Sequence, residues 1–196
     1  TTYTSTTTYD ELGRVKTYTP ATRGMDAARM SQLGVGPITT SYDSAANGVG
    51  LPAQVTQSGL FTVAYTYDVR QRLRREQRTV TLGTAHGLTA PLTASLAVDR
   101  TYDLTGAPLE VSWGSGARWR YAYDALGQPT SVAWRDPATG QDQTLAAYTR
   151  TVAGAPRLRT SSWDQRRTWT YDVLGRVDDD RIHDAAGTRT WAERRY

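Results

Sequence analysis

The 196-residue sequence has no cysteine, and it contains only one phenylalanine, two methionines and two histidines. The absence of cysteine excludes disulfide bonds, thiolate zinc sites and cysteine nucleophiles. Hydrophobic residues make up 38% of the chain, and the mean hydropathy is −0.57. Such a chain offers no run of the roughly 20 apolar residues that a membrane-spanning helix requires. We therefore expect no membrane-spanning segment.

The abundant residue types favour β-structure. The chain contains 31 threonines, 12 tyrosines, 6 tryptophans and 17 glycines. Threonine and the aromatic residues suit the half-buried surface of a pleated sheet, and glycine is typical of the turns between strands. The composition therefore predicts an all-β fold.

The charged residues do not form a basic patch. The chain carries 23 basic and 19 acidic residues, a formal net charge of +4, and the two signs are interleaved. Even the dense run from Arg70 to Arg78 includes glutamine, leucine and glutamate. Because a nucleic-acid-binding protein usually gathers its basic residues on one stripe or patch, we expect no nucleic-acid partner.

A Tyr-Asp pair recurs along the chain at intervals of 33, 25, 35, 21 and 48 residues. The interval of 48 divides at Tyr148-Thr149, which we interpret as a decayed copy, so the period is 21 to 25 residues with two longer copies. Glycine stands four residues after the tyrosine in four copies, and Gln71 takes that place in another. The six pairs are Tyr9-Asp10, Tyr42-Asp43, Tyr67-Asp68, Tyr102-Asp103, Tyr123-Asp124 and Tyr171-Asp172.

Each part of this motif has a structural reason. An aspartate after a strand accepts hydrogen bonds from backbone N–H groups two residues on, and glycine provides the positive φ that such a turn requires. Tyr121 and Tyr123, two residues apart, lie on one face of a strand. Residues 109–113 and 119–123 alternate between apolar and polar on either side of a Gly-Ser-Gly loop, which predicts a hairpin. The chain is therefore predicted to be an antiparallel sheet of repeated β-hairpins.

Two stretches depart from the repeat and are interpreted as insertions, residues 22–40 and residues 80–98. Within the first, the segment from Met25 to Met30 is compatible with one or two helical turns, although it lacks good caps. The second reads either as a long hairpin or as an extended loop. Insertions in repeat proteins usually map to loops on one side of the fold.

The motif Tyr-Asp-x-x-Gly-Arg, complete from Tyr9 to Arg14 and from Tyr171 to Arg176, resembles the Rhs or YD repeat when it recurs with aromatic strand ends at this period. That family includes bacterial polymorphic toxins, the C component of insecticidal Tc complexes, bacterial wall-associated proteins and the animal teneurins. The resemblance covers essentially the whole chain. It implies that residues 1–196 are a single YD-repeat segment, an excerpt of a larger repeat protein.

What the resemblance implies for the fold is a long antiparallel sheet that spirals into a hollow shell. In bacterial members the shell encloses a C-terminal toxic polypeptide until delivery. We accordingly expect a structural segment of such a shell, whose partners are the neighbouring repeats of the same chain and the enclosed toxin. The expected location is a secreted or cell-surface protein, and the excess of arginine over lysine agrees with a bacterial origin.

The sequence contains no pattern that indicates an enzyme, a cofactor or a metal. The two histidines, His86 and His183, stand in strand-like or loop-like surroundings where a structural role is the simpler interpretation. The three aspartates at 178–180 are close to Arg176 and Arg181, which offset their charge, so we expect no metal site there. The Asp136-Pro137 pair lies in a good turn sequence, and we interpret it as a turn rather than as a cleavage element.

Tryptophan supports an alternative function. Trp113, Trp119 and Trp134 occupy neighbouring predicted strands and are expected to align on one face. Aromatic faces stack on sugar rings, and YD repeats have been linked to carbohydrate binding, so a cell-surface adhesion or glycan-binding module is the second hypothesis. The competing interpretation is a cross-strand aromatic ladder that stabilises the sheet by ~0.5 to 1 kcal/mol per pair.

Overall fold

A computed structural model describes residues 4–21, 24–26, 29–30, 35–83 and 89–196. Within these ranges, fifteen strands follow one another in chain order in one antiparallel sheet, so each strand lies beside its neighbours in sequence. The all-β prediction and the predicted succession of hairpins are therefore confirmed. The strands are β1 (Thr6–Tyr9), β2 (Val15–Thr19), β3 (Ile38–Tyr42), β4 (Pro52–Gln57), β5 (Phe61–Tyr67), β6 (Leu73–Leu82), β7 (Leu92–Tyr102), β8 (Pro108–Trp113), β9 (Arg118–Tyr123), β10 (Pro129–Arg135), β11 (Asp142–Arg150), β12 (Pro156–Ser161), β13 (Gln165–Tyr171), β14 (Val177–Asp184) and β15 (Thr190–Arg195).

The chain divides into two compact units, Thr1–Asp99 and Arg100–Tyr196, which we call unit 1 and unit 2. The boundary falls within β7, and each unit consists of consecutive antiparallel hairpins. In unit 2 the turns alternate between the two ends of the strands. We call the turns at residues 103–107, 124–128, 151–155 and 172–176 the YD rim, and the turns at residues 114–117, 136–141, 162–164 and 185–189 the opposite rim.

Few side chains are buried. Among the described residues, the buried hydrophobic side chains are those of Ala53, Tyr67 and Ala146, and Gln57 is a buried polar residue. No large side chain in this part of the chain is fully buried. Side chains are therefore covered mainly by neighbours on the same face, as in a sheet with no second layer packed across it.

The two faces of the sheet in unit 2 differ in chemistry. Register places Trp134 opposite Trp119 and Val132 opposite Tyr121, so these four residues share one face. The other face of the same strands carries Arg120 and its partners in register, which are charged or small residues. This division follows from the alternation that the sequence predicts for a strand.

A β-bulge recurs beside the YD turns. In β13–β14, Tyr171 pairs with Val177 but Thr170 pairs with Asp179, so Asp178 is the additional residue. The same shift occurs beside Tyr9, Tyr42, Tyr67, Tyr123 and Arg150. A bulge bends the strand and increases its local twist, so every such repeat acquires the same local distortion.

The two predicted insertions have different outcomes. Strands β6 and β7 pair continuously from Arg75–Asp99 to Leu82–Leu92, so the described residues of this stretch form a long hairpin rather than an extended loop. Residues 84–88, which include His86, lie outside the described residues. In the first insertion Arg29 and Met30 are helical, and the Met30 N–H donates to the Asp26 carbonyl oxygen at 3.0 Å. Asp26 Oδ1 also accepts from the Arg29 N–H at 2.7 Å, as a helix cap does. The remaining residues of the predicted turn, 27 and 28, lie outside the described ranges.

Candidate functional site

The aspartate of each Tyr-Asp pair closes its own turn. In the last complete copy, Asp172 Oδ1 accepts hydrogen bonds from the backbone N–H groups of Leu174 and Arg176, both at 2.9 Å. The Asp172 N–H donates to the Arg176 carbonyl oxygen, and the Gly175 N–H donates to the Asp172 carbonyl oxygen. Gly175 has a φ of 78°, the left-handed conformation that closes a three-residue hairpin loop. The turn is therefore built as the motif predicts.

The arginine that ends the motif reinforces the aspartate. Arg176 Nε lies 2.7 Å from Asp172 Oδ2, and the same contact joins Arg14 to Asp10 and Arg72 to Asp68 at 2.7 Å. The backbone N–H and the side chain of Arg176 hold the pKa of Asp172 below its ordinary value. The turn therefore favours the ionised form of the carboxylate.

The tyrosine connects its turn to the preceding turn on the same side of the sheet. Tyr123 Oη donates to the Pro108 carbonyl oxygen at 2.8 Å, and Tyr171 Oη donates to the Pro156 carbonyl oxygen at 2.7 Å. In unit 1, Tyr67 reaches the Pro52 carbonyl oxygen in the same way at 2.7 Å. The acceptor in each case is the first residue of the strand that leaves the preceding turn. The pair thus has two functions: aspartate shapes one turn, and tyrosine links two.

The decayed copy of the motif lies two residues later than predicted. Thr151, rather than Thr149, takes the place of the aspartate, because the Thr151 N–H donates to the Ala155 carbonyl oxygen and Thr151 Oγ1 accepts from the Ala155 N–H. Arg150 takes the place of the tyrosine, and its Nη2 donates to the Pro129 carbonyl oxygen at 3.2 Å. The prediction of Tyr148-Thr149 is therefore wrong. Tyr148 lies inside β11, paired with Arg159.

The copy at Tyr42 is also modified. The Asp43 N–H donates to the Leu51 carbonyl oxygen, so the loop is longer than in the other copies. Asp43 then turns to the preceding motif, where its Oδ2 lies 2.8 Å from Arg14 Nη2. The Arg14 guanidinium also lies 4.2 Å from the centre of the Tyr42 ring. Hydrogen bonding to Asp43 and Asp10 raises the pKa of Arg14, so this arginine is a permanent charge that joins two turns.

The three tryptophans predicted to bind carbohydrate lie on one face of unit 2. Trp119 is directly opposite Trp134 in the β9–β10 register, and Val111, two residues before Trp113, is opposite Trp119. The Trp113 and Trp119 rings meet edge to face with centroids 5.8 Å apart. Trp119 is 42% exposed, whereas Trp113 and Trp134 are half-buried. The arrangement is an aromatic cross-strand cluster with one accessible ring.

Ion pairs connect neighbouring strands on the other face of β8–β11. Glu110 lies 3.3 Å from Arg118 and 3.4 Å from Arg120, and Arg120 also lies 2.9 Å from Asp142. Glu110, Arg120 and Asp142 line an open groove of about 500 Å³. Because every one of these cations faces a carboxylate, the groove is a mixed-charge surface rather than an anion site.

The other residues considered for chemistry have local partners. His183 lies in β14, with its Nδ1 2.7 Å from the Asp184 carbonyl oxygen. Among the three aspartates at 178–180, Asp180 receives two hydrogen bonds from Arg167, and Asp179 lies 2.7 Å from Arg181. Among the described residues, no three or more histidine, cysteine, aspartate or glutamate side chains are grouped so that they could hold a metal ion. The 136–141 segment is a turn, closed by the Asp136 N–H on the Gln141 carbonyl oxygen.

These features define a class of protein: a repeat protein of antiparallel hairpins in which aspartate closes each motif turn and tyrosine joins it to the turn before. No family model matches the sequence. No curated protein matches it in sequence either.

Solved structures match the fold. The crystal structure of TcdB2-TccC3-Cdc42 superimposes over 98% of the chain with a TM-score of 0.63 and 15% sequence identity. The structure of TcdB2-TccC3 without its hypervariable C-terminal region covers the same 98%, with a TM-score of 0.61 and 14% identity. The fold implied by the resemblance to Rhs and YD-repeat proteins is thereby confirmed.

The chain spans only 11% of the length of these matching chains. The likeness therefore concerns one stretch of a much longer chain. Within the described ranges, no helix has both the length and the apolar character needed to cross a membrane.

Proposed function

We propose that this chain is a wall segment of a YD-repeat shell that encloses and helps to deliver a C-terminal toxin or effector polypeptide. In this proposal the segment is non-enzymatic, it binds no nucleic acid, and it belongs to a secreted or cell-surface bacterial protein. Its partners are the neighbouring repeats of its own chain and the enclosed polypeptide.

The observation that carries the proposal is the single-layer sheet with the fold of the TcdB2-TccC3 structures. A sheet whose large side chains are only half-buried gains stability when another surface covers one face. An enclosed polypeptide would provide such a cover. One of the matching structures is described as lacking a hypervariable C-terminal region. A variable cargo at the end of a constant wall agrees with this description.

Limited proteolysis with intact-mass analysis of the parent protein tests the proposal. We expect a C-terminal fragment that co-purifies with the wall, resists protease in the native state and becomes digestible after mild denaturation opens the wall. A C-terminal region that is digested equally fast before and after denaturation would contradict the container function, because nothing would then be enclosed.

The tryptophan cluster favours glycan binding as the second candidate function. Trp119 is the accessible ring of the cluster, while Trp113 packs edge-on against it. A glycan-binding surface predicts that Trp119→Ala abolishes binding to a glycan array while circular dichroism shows that the fold is retained. Trp191→Ala is the matched control, because Trp191 is 45% exposed and lies on β15, away from the cluster. If the wild-type chain retains no glycan, the cluster has only the structural function of a ladder.

A further inference from the structure

One hairpin of unit 2 carries most of the net positive charge of the chain. The β12–β13 hairpin, residues 156–171, contains four arginines and one aspartate, so it holds three of the four net positive charges. Among the described residues, only one of these arginines has a carboxylate partner. This is Arg167, whose guanidinium donates to both oxygens of Asp180, at 2.8 and 2.6 Å. The hairpin therefore has an excess of positive charge that its neighbours do not balance.

Arg159 is the arginine for which this excess matters most. It lies within β12, half-buried, with Tyr148 opposite it on β11 and Arg167 opposite it on β13. Within the described part of the chain, its guanidinium forms no hydrogen bond or ion pair. Like charges directly opposite each other in a sheet are destabilising, and a partly buried cation without a partner adds a desolvation cost. A bound anion would reduce both penalties.

The two carboxylates nearest in register are already engaged. Asp180 is bound by the arginine opposite Arg159. Asp184 lies opposite Gln165 in the β13–β14 register, but its Oδ1 accepts from the Thr188 N–H at 2.7 Å and its Oδ2 accepts from the Thr188 hydroxyl at 2.6 Å. An anion for Arg159 therefore has to come from outside these strands.

A small niche lies beside Arg159 on the same face of the sheet. Its volume is about 50 Å³, and it is lined by Arg159, Ser161, Gln165, Arg166, Arg167 and Ile182. Ser161 stands two residues after Arg159, and Gln165 stands two residues before Arg167, so these four residues share one face. Ser161 Oγ is out of contact with solvent and has no hydrogen-bond partner among the described residues. A buried hydroxyl without a partner is uncommon in native proteins and calls for an explanation.

We propose that this cavity, which we call the Arg159 niche, is a binding site for a single carboxylate group. The Arg159 guanidinium offers a planar pair of N–H donors that matches the two oxygens of a carboxylate. The Ser161 hydroxyl and the Gln165 amide add neutral donors beside it.

The size and the charge of the niche select the ligand class. A volume of about 50 Å³ holds roughly three to four water molecules. This is enough for a carboxylate and far below the ~300 Å³ or more of a pocket for a drug-sized ligand. One free guanidinium balances a single negative charge, which favours a carboxylate over a phosphate group, whose charge at pH 7 is about −1.5 to −2.

The niche lies on the face of the sheet, between two strands that are each paired on both sides, and not on an edge strand. The site does not depend on the container function, because its donors belong to this chain whether or not the wall encloses a polypeptide. The carboxylate can belong to a small organic acid or to an acidic side chain of a polypeptide, and the experiment separates these two sources.

Titration of the 196-residue chain with sodium acetate, followed by NMR, tests the site. The signals to follow are the Arg159 Nε–H and the Gln165 side-chain amide, with sodium chloride at matched ionic strength as the reference. We expect acetate to shift both signals to saturation and chloride to leave them in place. A short peptide with one central glutamate and capped ends identifies the source. Binding at least about tenfold tighter than acetate indicates a polypeptide side chain, and equal binding indicates a small organic acid.

Three variants locate the site, and circular dichroism verifies the fold of each. Arg159→Gln should raise the Kd for acetate about tenfold or more, measured on the Gln165 amide, because it removes the charge-assisted hydrogen bonds. Ser161→Ala should raise the Kd about threefold, because it removes one neutral donor. Arg157→Gln is the matched control: it makes the same change of charge at an exposed position of the same strand, and it should leave the Kd almost unchanged.

Three results would overturn the proposal. The first is the absence of a saturable shift with either carboxylate probe. The second is an equal loss of affinity in Arg159→Gln and Arg157→Gln, which would indicate general attraction to a basic hairpin. The third is tighter binding of sodium phosphate than of acetate, which would indicate a different anion.

Urea unfolding keeps the test decisive if Arg159→Gln does not fold. Because a ligand that binds the folded chain stabilises it, acetate should raise the unfolding midpoint of the wild-type chain more than chloride does. Ser161→Ala should reduce this rise. An equal rise in the two proteins would contradict a role for the Ser161 hydroxyl, and no rise in the wild-type chain would contradict the site.

Discussion

The two rims of unit 2 are formed by the same strands but built by different means. On the YD rim, aspartate or threonine closes every turn, and a tyrosine or arginine side chain reaches the carbonyl oxygen of the preceding turn. On the opposite rim the turns differ in length. The Trp113 N–H donates to the carbonyl oxygen of Ala117, four residues later, whereas the Asp136 N–H donates to that of Gln141, five residues later. The comparison teaches that a repeat of this kind needs a strict motif at only one end of its strands. Bonds between turns fix that end, and the other end is free to vary.

Acidification should produce the largest loss of stability, because two aspartates of the YD rim have a lowered pKa in the folded chain. The Thr105 side chain holds the pKa of Asp103 below the ordinary value of 3.8, and Arg176 does the same for Asp172. A lowered folded-state pKa adds stability that is complete above the ordinary value and is lost as the pH falls through the lowered one. Urea midpoints measured from pH 6 to pH 2.5 should therefore fall steeply below about pH 4.

The double variant Asp103→Asn with Asp172→Asn tests whether the YD rim causes this loss. Asparagine keeps one acceptor oxygen but cannot titrate, so the midpoints of the variant should depend less steeply on pH. An unchanged slope would assign the acid sensitivity to other carboxylates. Asp184, beside the opposite rim, is the first to test, since a hydrogen bond from the Thr188 side chain also lowers its pKa.

Glycine substitution should have the next largest effect, and it should affect both rims equally. Gly127 on the YD rim and Gly187 on the opposite rim have φ values of 75° and 73°, and a new Cβ meets nothing within 4 Å at either site. Alanine should therefore cost about 1–2 kcal/mol at both positions through backbone strain alone. Gly36→Ala, at a residue with open space and no positive φ, is the control and should be nearly neutral. A much larger loss at Gly127 would mean that this glycine is needed for contacts as well as for conformation.

Removal of one tyrosine hydroxyl should isolate the bond between turns. Tyr123→Phe deletes the hydrogen bond to the Pro108 carbonyl oxygen and should lower the free energy of unfolding by about 1 kcal/mol. Tyr121→Phe is the matched control, because Tyr121 lies on the same strand and face but forms no such bond within the described residues. Equal effects of the two changes would refute the role of the hydroxyl.

Restoration of the consensus at the decayed copy should have the smallest effect. Arg150→Tyr places the phenol where the other copies have it, aimed at the Pro129 carbonyl oxygen that Arg150 now reaches at 3.2 Å. We expect a gain of about 0.5 kcal/mol in urea unfolding, because a tyrosine loses less side-chain entropy than an arginine when it is ordered. Arg150→Leu, which removes the donor, should destabilise instead. A loss of stability with tyrosine would mean that the Arg150 contact to the Gly154 carbonyl oxygen at 3.1 Å matters more.

The repeat motif made most of the fold predictable from sequence, because its turn residues act locally. Asp172 and Gly175 need only their own loop to determine its shape, so the hairpins and their order could be derived. The copy at Arg150-Thr151 was predicted two residues too early, at Tyr148-Thr149, because Tyr148 is the nearest tyrosine in the sequence. Gly154 and Pro156 carried the correct signal, since they stand four and six residues after Arg150, as Gly127 and Pro129 do after Tyr123.

Other features depend on contacts between repeats and could not be derived. The tyrosine hydroxyl finds its acceptor on the neighbouring strand beside the preceding motif turn, 15 residues earlier in the chain in three copies. The bulge beside six of the motif turns depends on how two strands share their hydrogen bonds, and neither strand alone encodes it.

The direction of the tyrosine hydrogen bonds has a consequence for biosynthesis. In the four bonds that the described residues show, the donor belongs to the later strand and the acceptor to an earlier one. A strand that has just left the ribosome therefore finds its acceptor already in place and need not wait for any residue still to be translated. Such a sheet can grow in the order of synthesis, each repeat docking on a finished template, so we expect the parent protein to assemble during translation.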